Sequence, residues 1–102
     1  MTGFERRREE AEMHLRMQLM KEMSAVMQRT GLPPMIVMRE AVRAIGVIYR
    51  ETADAHQGPG SCSCGWQPQE AADLDYLGRA LLEATRQPRR RDLGAMQVLG
   101  TA

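Results

Sequence analysis

Three stretches of the chain repeat apolar residues at helical spacing, and two breaks rich in glycine and proline separate them. The first stretch has no glycine or proline from Phe4 to Gln28 and is filled with Glu, Arg, Met, Leu and Ala, all strong helix formers. At about 100° per residue, Met13, Leu15, Met17, Leu19, Met20, Met23, Val26 and Met27 fall within an arc of roughly 200°. A helix resting on one neighbour shows an apolar stripe nearer 100°, roughly half that width. The pattern therefore predicts a first helix that touches two surfaces, inside a bundle or across an oligomer interface. Met13, Met17, Met20 and Met27 form a coiled-coil-like seam interrupted at Ser24, too short to establish a coiled coil.

Thr30-Gly31-Leu32-Pro33-Pro34 ends this helix and begins the next, with a glycine suited to the C-cap and a proline suited to the first helical turn. The second stretch, to about Asp54, places Val37, Met38, Ala41, Val42, Ala44, Ile45, Ile48, Tyr49 and Thr52 on one side. Arg39, Glu40, Arg43, Arg50 and Glu51 take the other. The short connection predicts an antiparallel hairpin. Gly46, inside the second helix, is expected to mark a close helix crossing. A third helix is expected from Pro68 to about Arg86, with Leu74, Leu77, Leu81 and Ala84 in line, acids in its first turns and Pro88 as its stop.

No strand-like alternation and no internal repeat is evident. The fold class is all-α: a small three-helix bundle made of a helical hairpin over 4–54 and a third helix over 68–86, completed by oligomerisation or by a partner. One helical domain is expected over 1–87, with helices about 4–29, 34–54 and 68–87 and a Gly/Cys loop over 55–67. Residues 88–102 form a basic, partly flexible tail.

Composition adds limits. Hydrophobic residues make up 43% and charged residues 26%, which is ordinary for a globular domain and excludes wholesale disorder. Aromatics are only 4%, too few for a base-stacking platform, and nine methionines stand in their place. Methionine is flexible and polarizable, so a methionine-lined face packs against irregular or varied partners. Met13, Met17, Met20, Met23 and Met27 are the candidate partner-binding residues. No apolar run approaches the roughly 18 residues of a membrane helix, and the charged start lacks the pattern of an export signal. A cytoplasmic protein with no membrane association is expected.

Net charge is +1, unevenly spread. Glu51, Asp54, Glu70, Asp73, Asp75 and Glu83 face Arg79 alone in the middle, whereas Arg86, Arg89, Arg90 and Arg91 dominate the end. Arg39, Arg43, Arg50, Arg89, Arg90 and Arg91 are candidates for an anion-binding surface; a solvated face, with Glu40 paired to Arg43, is the competing reading. The near-neutral total and the lack of a compact helix-turn-helix junction speak against nucleic acid as a partner.

The loop carries the remaining chemistry. Cys62 and Cys64 stand two apart, with His56 six residues before Cys62 and Asp54 just upstream. Imidazole, thiolate and carboxylate are the donors zinc accepts, and a closed structural site needs four. His56, Cys62, Cys64 and Asp54 are the candidate ligands, and zinc is the cofactor they would hold. His14, a water or a second chain could also complete the set. Two other readings stay open: a labile thiol-redox pair at Cys62 and Cys64, and reduced, inert thiols with His56 capping the second helix and Trp66 plugging the bundle. Signatures of catalysis, such as a phosphate-cradling loop, a serine elbow or a paired-histidine helix motif, are missing. The chain is read as non-enzymatic: a helical interaction module first, a metal-stapled module second, a thiol switch third.

Overall fold

The computed structural model describes residues 2–87, and the arginines at 89–91 together with the rest of the 88–102 tail lie outside them. Three helices, and no strand among the described residues, make the chain all-α: α1 (Gly3–Thr30), α2 (Pro34–Ala55) and α3 (Glu70–Arg86). The chain divides into two compact units, Met1–Ala55 and His56–Ala102.

In the first unit, α1 starts one residue earlier than its pattern suggests, because Thr2 and Glu5 close a capping box. The Glu5 N–H donates to Thr2 Oγ1 at 3.1 Å, and the Thr2 N–H donates to Glu5 Oε2 at 3.2 Å. Two of the donors that a helix start leaves orphaned are thereby satisfied. At the other end the Gly31 N–H returns to the Met27 carbonyl at 2.9 Å, with Gly31 in the left-handed region at φ 73°. Only glycine adopts that conformation without steric cost, and it turns the chain out of the helix as expected. Thr30 Oγ1 bridges the exit: its hydroxyl donates to the Val26 carbonyl at 2.7 Å and accepts from the Leu32 N–H at 3.2 Å. The Ile36 and Val37 N–H groups then both donate to the Pro33 carbonyl, starting α2.

The two helices pack against each other as a hairpin, but little of either is buried. Met23, Ala25, Val26 and Met27 of α1 and Ala41 of α2 are half-buried, and Val37 is only 4% exposed. Away from the turn Ala53 is buried and Tyr49 half-buried, but most of the remaining apolar positions are exposed. Met13, Met17 and Met20 are 53%, 64% and 58% exposed, and Met38, Val42, Ile45 and Ile48 of α2 are exposed as well. Gly46 departs from expectation: among the described residues nothing beyond its own helical turn lies within 4 Å of the position a Cβ would take, so no described helix crosses there. Exposed ion pairs line the helices, including Arg16 with Glu12 at 3.6 Å and Arg43 with Glu40 at 3.8 Å. Each contributes only a few tenths of a kcal/mol.

In the second unit, α3 begins at Glu70, two residues after the expected Pro68. Gln69 is the N-cap but offers no side-chain cap bond. Instead Asp73 reaches back, its Oδ2 accepting from the Gln69 N–H at 2.9 Å. This carboxylate supplies only the return bond of a capping box, to the N-cap N–H, from a place where the positive end of the dipole favours it. No residue of α3 is buried, and Leu74, Leu77, Leu81 and Leu82 are all exposed. No helix of the described residues is long and apolar enough to cross a membrane.

Candidate functional site

The segment between α2 and α3 is organised by glycine-dependent turns. Gly58-Pro59-Gly60-Ser61 closes on itself, with the Ser61 N–H donating to the Gly58 carbonyl at 3.3 Å and Gly60 at φ 79°. Proline second and a positive-φ glycine third is the chemistry of a type II turn. The turn folds the chain back so that Cys62 and Cys64 return toward His56. Gly65, at φ 88°, bends it once more between Cys64 and Trp66.

Trp66 completes the arrangement. Its ring meets the His56 imidazole edge to face, with centroids 4.9 Å apart and planes at 82°. Both rings are half-buried. An edge-to-face aromatic pair contributes roughly 0.5–1.5 kcal/mol beyond its buried area, and it fixes the imidazole plane. Trp66 therefore supports His56 directly, a role that the expectation of a bundle plug did not contain.

The result is a cluster of three donors. One ring nitrogen of His56 and the sulfurs of Cys62 and Cys64 all lie within 4.8 Å of one another. Both cysteines are free and exposed. The Cys62 thiol is held below its ordinary value, chiefly because the Cys64 backbone N–H donates to its sulfur. A bond with the Cys64 side chain acts in the same direction, desolvation opposes it, and the His56 charge and ring lower the thiol further by a smaller amount. A sulfur stabilised as thiolate is the form that attacks electrophiles and binds metals.

Of the four candidate ligands, the loop thus gathers three. Asp54, on the last turn of α2, and His14, on α1, are not in the cluster. The methionines of the candidate partner face separate into two sets: Met13, Met17 and Met20 exposed, Met23 and Met27 half-buried against α2. Among the arginines, Arg43 and Arg50 line one shallow open depression on α2 with Glu40, Ala44, Gly46 and Val47, while Arg39 is not part of it. Glu40 already holds Arg43, so the depression is partly self-neutralised.

Two features of the site were readable but went unread. Gly58-Pro59-Gly60 signals a type II turn, and Trp66 two residues beyond Cys64 can reach the same histidine that the cysteines approach. The chain matches no protein-family model, no curated protein and no solved structure.

Proposed function

We propose that the protein is a non-enzymatic helical interaction module, a small accessory or adaptor subunit of the cytoplasm, that associates through the methionine face of α1 and binds first to a second copy of itself. One observation carries this reading: Met13, Met17 and Met20 remain more than half exposed although α1 packs against α2. They form a stripe two turns long, about 10 Å at 1.5 Å per residue, and Met38, Val42 and Ile45 of α2 are exposed as well. Soluble monomers rarely leave contiguous apolar patches beyond a few hundred Å² open to water.

Energetics point the same way. Val37 and Ala53 are the only buried apolar residues among those described. A core this small returns few of the roughly 25 cal/mol per Å² that must offset chain entropy, so a second copy that covers the stripe would stabilise the fold as well as the complex. Sedimentation equilibrium over a wide concentration range tests it. The expected result is a mass that rises with concentration toward a closed oligomer, with a melting temperature that rises in parallel. A folded monomer at high concentration that binds no apolar dye overturns it.

A further inference from the structure

We infer that His56, Cys62 and Cys64 form a mononuclear site for a thiophilic metal ion, zinc(II) above all, with its fourth coordination position open to the outside. The inference stands on the loop alone and does not depend on association through α1.

The donor set comes first. Two sulfurs and an imidazole nitrogen suit a borderline-soft ion and are poor ligands for magnesium or calcium, which take oxygen. Placement is the second argument. In a tetrahedral site with zinc–sulfur bonds of about 2.3 Å and zinc–nitrogen bonds of about 2.0 Å, donor atoms stand roughly 3.5–3.8 Å apart. The three donors here already fall within 4.8 Å, so closure asks for about an ångström, which is available by rotating two exposed cysteine side chains. The backbone needs no rearrangement, because the type II turn and Gly65 have already brought the chain back on itself.

The support of the histidine is the third. Metal-binding imidazoles are held in orientation by their surroundings. Trp66 does this through its edge-to-face contact, while the thiols remain on the exposed side. With no carboxylate or further imidazole in the cluster among the described residues, the three donors leave one position to a water, a small thiol or a side chain from another molecule. Three-donor sites with an open position exchange ligands, whereas four-donor sites are closed and structural. Binding would pin the loop between α2 and α3 and hold Trp66 in one place.

The test uses the full chain, kept reduced with a phosphine and freed of metal, titrated with cobalt(II) and then zinc(II). One equivalent of cobalt is expected to produce thiolate-to-metal charge transfer and intense ligand-field bands of tetrahedral type, both erased by one equivalent of zinc. Cys62→Ser and Cys64→Ser should each weaken binding at least about a hundredfold. His56→Ala should weaken it tenfold or more and change the ligand-field envelope, while Asp54→Asn and His14→Ala should bind as the parent does. Reversible blocking of the thiols with a methanethiosulfonate, then release, should abolish and restore the spectrum in one sample, which separates ligand loss from misfolding. Absence of a saturable spectrum at one equivalent overturns the inference. So does a spectrum unchanged in His56→Ala, or one lost in Asp54→Asn.

Discussion

The hairpin of α1 and α2 and the loop from His56 to Trp66 use their sequence in opposite ways. The hairpin spends fifty residues on two helices and buries little: Val37 and Ala53 are covered, Met23 and Met27 half so, and Met13, Met17 and Met20 hardly at all. The loop uses eleven residues and brings three metal-type donors and an aromatic pair within contact range. The difference lies in the reach of the forces. Turns and a ring contact between residues ten apart are satisfied by local geometry, so a short segment completes them unaided. Apolar burial is proportional to area and has no direction, and one antiparallel neighbour cannot cover an arc of roughly 200°.

That contrast can be broken at its strongest point. Val37 is the deepest apolar contact of the hairpin. Val37→Asp places an unpaired carboxylate there and is expected to cost about 3 kcal/mol or more, visible as lost helicity in circular dichroism and an early denaturant midpoint. If the hairpin keeps its full stability, the turn-end contact is not what holds it.

The next largest effect addresses the uncovered stripe. Met17→Glu combined with Met20→Glu should leave the helix content intact and weaken self-association about a hundredfold, roughly 2.7 kcal/mol, measured by sedimentation. Equal association of parent and variant would move the interface away from α1.

Gly46 gives a smaller and sharper signal. The space beside it is empty and its position is helical, so Gly46→Ala should stabilise the isolated chain by about 0.5–1 kcal/mol in urea titration. A net loss of stability or of association would show that a partner helix approaches closely there. The smallest effect concerns the loop. Because Cys62 is held below its ordinary thiol value, its thiolate is populated at lower pH in the folded chain than in urea. The pH profile of Cys62 alkylation, followed by peptide mass spectrometry, should therefore reach its midpoint earlier in the native protein. His56→Ala should move that midpoint part of the way back up, since the Cys64 N–H, the larger cause, is retained. Identical profiles in the native and urea-unfolded chains would remove the preorganised thiolate.

Much of this was legible residue by residue. Gly31 announces the end of α1 because a left-handed cap favours glycine, and Pro34 opens α2 because a first-turn proline loses no helical bond. Glu40 and Arg43 pair because three residues place them on one helix face. Other features were legible in principle but were outweighed by stronger patterns. Thr2-Gly3-Phe4-Glu5 is a capping-box sequence, yet the apolar periodicity starts later and draws the boundary inward. Pro68 reads as a helix start, yet the helix begins at Glu70, where Asp73 accepts from the Gln69 N–H.

The sequence by itself determined the number, type and approximate limits of the helices, the width of the apolar arc on α1 and the identity of the donors in the loop. These depend on interactions spanning a few residues, which composition and spacing encode directly. Tertiary structure alone decided which methionines are covered, that Gly46 faces open space, and that His56 joins Cys62 and Cys64 while Asp54 does not. Those outcomes depend on how far two helices stay in contact and where successive turns deliver a side chain, and small changes of backbone angle accumulate over distance until only the folded chain fixes them.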